Sequence, residues 1–129
     1  MTYTIDRIID AVPFADVVDR TRAALAGKGF GVLTEIDVKA TMKKKLDVDV
    51  IPYLILGACN PAMAHEAMKL EPRVGAMPPC NVIVRSLDDG SVMVSAIDPV
   101  ASMQAIDNPK LHDVAGEVRS MLESVVAAI

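Results

Sequence analysis

The sequence predicts an α+β fold: a mixed sheet of about five strands, helices packed mainly on one face, then a C-terminal hairpin and a long amphipathic helix. Three observations carry this prediction. Short β-branched runs alternate with helix-length stretches through residues 3–70. Two strand-like runs, residues 80–87 and 91–97, then meet at Asp88-Asp89-Gly90, which is a hairpin signal. Last, Leu111, Val114, Ala115, Val118, Leu122, Val125, Val126 and Ile129 recur at helical spacing as one apolar stripe. A doubly wound parallel sheet is the weaker alternative. The final hairpin is antiparallel, and no glycine-rich phosphate loop follows the first strand.

Residues 3–9 read as the first strand. Pro13 suits the first position of a helix, where a missing N–H costs nothing. Phe14, Val17, Val18, Thr21, Ala24 and Leu25 then mark one helical face, ended by Gly27 and Gly29. Residues 30–36 form a second strand, and Asp37 caps a helix whose Val38, Met42 and Leu46 recur every fourth position. Tyr53–Cys59 is almost unbroken apolar sequence, as expected of a central strand. Asn60-Pro61 then opens a helix to about Leu70, Pro72 stops it, and residues 73–79 form an irregular connection. Asp98-Pro99 and Asn108-Pro109 repeat the same cap-plus-proline device, the first for a short turn through Met103, the second for the last helix. If Asp89-Gly90 is a two-residue turn, Asn81 pairs with Asp98 and Cys80 lies near Pro99; a three-residue loop moves the register by one.

A chain of 129 residues with 52% apolar and 23% charged residues supports one domain, residues 1–129, with a real core. Only two Phe, two Tyr and no Trp are present, so aliphatic side chains and eight Met must fill the interior. That supply exceeds what a small monomer can hide, and self-association is the simplest outlet. The net charge of −4 argues against nucleic acid as partner. The one basic run, Lys43-Lys44-Lys45, reads as a solvated helix end complementing the helix dipole. No secretory signal and no membrane-length apolar run is expected, and the two cysteines read as reduced thiols, which places the protein in the cytoplasm.

Both cysteines are followed by asparagine: Cys59-Asn60 where a strand gives way to a helix, and Cys80-Asn81 where Pro78-Pro79 gives way to a strand. A thiolate beside a helix start gains from the dipole, so Cys59 and Cys80 are the candidate catalytic or redox residues. As small buried hydrophobes they would be inert. Asn60, Asn81, Asp98 and His65 are the candidate ligand-binding residues. Whether the two strands bring the cysteines to one end is open. Neither His65 nor His112 has the spacing of a zinc site. The methionines fall at core spacing and give a copper-thioether site weak support. No metal and no cofactor is expected.

The segments FGVLTEIDVKATMKKKL, PYLILGACNPAMAHEAM, MPPCNVIV and VSAIDP, taken in order, resemble the domain-of-unknown-function family numbered 302, a set of small prokaryotic α+β proteins. Met63 and Met77 stand where such sequences usually carry leucine. The resemblance implies a compact α+β domain, a homodimer, and attention to Cys59, Asn60, Pro61, Cys80, Asn81 and Asp98. It implies no reaction. Three readings follow, with an enzyme the less favoured class. The first is a homodimeric binding module with a polar pocket for a small polar or anionic ligand at the Cys59-Asn60-Pro61 helix start, beside Asn81 and Asp98. The second is a thiol-dependent redox or sulfur-carrier protein using Cys59 and Cys80. The third is a structural dimer with no catalytic site.

Overall fold

A computed structural model describes residues 2–129. Five strands form one sheet: β1 (Thr4–Ile9), β2 (Gly31–Asp37), β3 (Tyr53–Cys59), β4 (Cys80–Ser86) and β5 (Val92–Ile97). Between and after them lie α1 (Phe14–Gly27), α2 (Val38–Leu46), α3 (Pro61–Leu70), α4 (Pro99–Ser102) and α5 (Pro109–Ala128). The strand order is β1-β5-β4-β3-β2.

The expected mixed sheet is corrected here, since every neighbouring pair is antiparallel. The sequential alternation of strands and helices suggested crossover units. Only α1 links strands running the same way, and these, β1 and β2, end on opposite edges of the sheet. A strand order of this kind depends on β1 pairing with β5, a contact that no local pattern encodes.

The cap devices form as their chemistry requires. Asp37 accepts from the Ala40 N–H at 2.9 Å, Asn60 from Met63 at 3.2 Å, and Asn108 from Leu111 at 3.2 Å. The three lysines lie in the last turn of α2, where Lys43 pairs with Asp47 at 2.9 Å. One departure lies between α3 and β4. Pro72–Ala76 is a short 3-10 helix where an irregular connection was expected. The Glu71 side chain caps it through the Arg73 N–H at 3.1 Å.

One face of the sheet carries the core. Ala58, Val82, Val84, Val92, Val94 and Ala96 point from the strands into Val17 and Leu25 of α1 and Val118, Leu122 and Val125 of α5. The predicted α5 stripe is therefore the buried one. Arg7 crosses from β1 to donate to the Val126, Ala127 and Ile129 carbonyls, at 3.2, 2.9 and 2.8 Å, which satisfies acceptors at the helix end. A smaller cluster, Ala67, Val74, Met103, Leu111 and Ala115, joins α3, α4 and α5 beyond the sheet's end.

Candidate functional site

The two Cys-Asn pairs meet at one end of the sheet. Because β3 and β4 are antiparallel neighbours with Ala58 facing Cys80, the strand that ends at Cys59 lies beside the strand that begins at Cys80. The helical excursion from Pro61 to Ala76 leaves and returns at this same end. Phe30, just before β2, and Asp98-Pro99, just after β5, arrive there as well.

Between them is a cavity of about 70 Å³ lined by both cysteines, Asn60, and side chains from β2's approach, α3, α4 and α5. Its wall is almost wholly apolar: Phe30, Ala67, Pro78, Val114 and Val118 lie among the lining residues, together with three methionines, Met63, Met68 and Met103. The lining methionines and the wall from α5 had not been anticipated. Their signal in the sequence was ordinary core spacing, which says which face is buried and not which side chains share a hole.

Asn60 is the one amide on this wall, and its Oδ1 is already committed to the Met63 N–H. Its Nδ2 lies against Gly29, which holds φ +79°. A Cβ on Gly29 would come within 3.2 Å of that nitrogen. Burial pushes the Cys80 thiol up to about 11, and the neighbouring Cys59 adds to the shift by like-charge repulsion. Both cysteines are free thiols. At neutral pH Cys80 is therefore protonated and a poor nucleophile.

The remaining candidates lie elsewhere, and the expected polar pocket is corrected to an apolar one. Asn81 is exposed and borders an adjoining pocket of about 180 Å³ with Met77, Ile97 and Ser102, which shares Pro78, Cys80 and Met103 with the first. It faces Gly57 on β3. The β4–β5 ladder aligns Val82 with Ala96, so Asn81 and Asp98 are not partners. The loop between them has three residues: Leu87 donates to the Ser91 carbonyl at 2.8 Å, and Gly90 takes φ +86°, the left-handed position that such a loop requires. Asp98 instead caps α4, accepting from Val100 at 2.9 Å, while its other oxygen meets Arg119 of α5 at 3.0 Å. His65 is exposed on α3, outside the cavity wall. His112 lies within 2.6 Å of the Ile106 carbonyl through Nε2.

Two expected results follow from this geometry. Asp98→Ala removes a cap and an ion pair of modest exposure, so it lowers stability by about 1–2 kcal/mol in denaturant titration. Asn81→Ala, exposed and outside the ladder partnership once assigned to it, stays within roughly 0.5 kcal/mol. Equal costs for the two would restore the discarded pairing. Alkylation of native Cys80 is slow at pH 7 and rises toward a midpoint near 11, above the ordinary 9.0. Since the folded thiol holds its proton more tightly than the unfolded one, this group's contribution to stability is complete below about 9. It is lost as pH climbs from there to about 11.

A family model described as "Domain of unknown function DUF302" matches residues 6–129. The chain belongs to the DUF302 family. An uncharacterized protein of Aquifex aeolicus (strain VF5) is 30% identical over 90 residues, or 70% of this chain. The DUF302 chain matches only 56% of that relative's length. In fold it is similar to the crystal structure of an uncharacterized conserved DUF302 protein from Bacillus stearothermophilus, with a TM-score of 0.92. That likeness covers 99% of this chain and 98% of the other at 22% identity, and it speaks for the DUF302 fold alone.

Proposed function

We propose that the protein is a homodimeric binding module whose ligand occupies the apolar cavity at the Cys59–Asn60 end of the sheet. The cavity itself carries this reading. It is walled by six converging segments, whereas Asn60 and Asp98, expected to make a polar site, are spent on caps and an ion pair. The ligand is accordingly small and apolar or soft, not an anion, because an anion entering this wall would lose its hydration with few donors in return.

The sheet's other face supports the dimer. By strand alternation Ile8, Ile36, Ile55, Ile83, Met93 and Ile97 share it, opposite α1 and α5. Ile8 is 54% and Ile36 48% exposed. The helix α2 is nine residues long with none of them buried, and its Leu46, just before the connector to β3, is 66% exposed. Such a surface is suited to closing on its own copy about a two-fold axis. No helix among the described residues is long and apolar enough to cross a membrane.

Light scattering tests the assembly. A mass near twice the 13.7 kDa of one chain is expected at micromolar concentration, with Ile8→Asp/Ile36→Asp shifting it toward one chain. A single-chain mass throughout a dilution series overturns the dimer. Proton-carbon NMR of the methionine methyl groups tests the cavity: xenon, a single apolar atom small enough for a hole of about 70 Å³, shifts Met63 and Met103, while Met93 on the opposite face stays still. A second reading, thiol-dependent redox or sulfur transfer, is favoured by the two thiols sharing one cavity. Fast alkylation of both at neutral pH would decide for it.

A further inference from the structure

We propose that the cavity binds one soft, monovalent d10 metal ion of the Cu(I) class, held by Cys59 and Cys80 with a methionine thioether as third ligand. The inference rests on the binding-module reading and names its ligand.

The donor set makes the choice. Thiolates suit Cu(I) and zinc alike, but thioethers are soft donors that favour Cu(I), while a closed zinc site needs four thiolate, imidazole or carboxylate ligands. Among the described residues no group of three or more His, Cys, Asp or Glu side chains is gathered in a way that could hold a metal. Yet two cysteines and three methionines line this one cavity, five of the chain's ten sulfur-bearing residues. No carboxylate and no histidine lies on the wall, and the lone Asn60 carbonyl oxygen is taken by the Met63 N–H. Zinc would find two ligands and no more.

Size points the same way. A cavity of about 70 Å³ is well below the ~150 Å³ apolar cavity that admits benzene snugly, so a bulky organic cofactor is excluded while an ion with its sulfur ligands is not. The apolar wall would also offer the ion few oxygen or nitrogen donors in competition with the sulfurs, which favours a soft, low-charge ion. On binding, two S–H bonds break and three sulfur–metal bonds form, two from the thiolates and one from a lone pair of the methionine thioether. Both protons pass to solvent, and the metal's oxidation state does not change. The resulting bis-thiolate centre carries one negative charge next to the start of α3, a ten-residue helix whose dipole is positive at that end.

The test is an anaerobic titration of the full chain with Cu(I) against a chromophoric Cu(I) chelator, and a parallel titration with Zn(II). One Cu(I) per chain is expected, with sulfur-to-copper absorption in the near ultraviolet and no comparable zinc binding. Cys59→Ser/Cys80→Ser should abolish retention. Met63→Leu/Met68→Leu/Met103→Leu, which keeps the apolar volume, should weaken it by roughly the 10–100-fold typical of perturbing a metal's surroundings or more. Should the serine variant not fold, the leucine variant decides the matter. Failure to compete for Cu(I), retention unaffected by either variant, or zinc bound as tightly overturns the proposal. Xenon that shifts the Met63 and Met103 methyls in a protein that ignores Cu(I) sinks the metal and leaves the binding module. A protein that takes neither loses both.

Discussion

Leu122→Ala lowers the stability of this protein by about 2–5 kcal/mol, the range for removing a fully buried leucine from a close-packed core. Leu122 lies in the middle of α5 with no exposed surface, within the cluster that joins α5 to α1 and to the core face of β4 and β5. The cost has two parts. Transfer of the lost methyl and methylene groups from the interior accounts for one, and the hole left behind for the other, because a sheet backed by two helices collapses only partly into it. Denaturant titration at fixed protein concentration measures it, which matters if association contributes to stability. Ser124→Ala, exposed on the same helix, serves as control and stays within about 0.5 kcal/mol. A Leu122 variant no worse than the control would mean that α5 is not the lid of the core.

Gly57→Ala costs about 1–3 kcal/mol by overpacking. Gly57 is buried in β3 on the sheet face away from α1 and α5, opposite Thr34 on β2 and Asn81 on β4. A Cβ there would overlap the Thr34 Oγ1 and come within 2.9 Å of Pro79 Cγ. Thr34 is stiff because it branches at Cβ, and Pro79 is fixed by its ring and by its place directly before Cys80, so neither yields cheaply. Thr34→Ala removes the nearer obstacle. In the Gly57→Ala/Thr34→Ala double variant the loss should therefore be smaller than the sum of the single changes, a coupling that a double-mutant cycle reads directly. Additive costs would show that Thr34 does not crowd this glycine. Because Pro79 leads into Cys80, the same substitution also strains the cavity end of β4. Metal or probe binding should fall with stability in Gly57→Ala, and remain intact in Leu122→Ala protein that is still folded.

What the sequence determined by itself was local. Asp37, Asn60, Asp98 and Asn108 cap helices because a short polar side chain reaches N–H groups two or three residues away, and three of the four caps are followed by a proline that suits the first turn. The α5 stripe lies buried because its spacing allows no other face to be. The hairpin, too, was legible in Asp88-Asp89-Gly90, although its register was not. One residue of loop length separates the two registers, and that residue's place is set by whether Gly90 takes the left-handed position with Leu87 and Ser91 already paired. Tertiary structure alone decided the rest. Strand order hangs on β1 joining β5 across about ninety positions of chain, and no periodicity reaches that far. For the same reason Asp98 is claimed by Arg119 and not by Asn81. The methionines show the limit most clearly. Met63, Met68 and Met103 each had a sufficient explanation as core, and only the antiparallel return of β4 beside β3, with α3 and α5 closing over it, places them around the same two thiols.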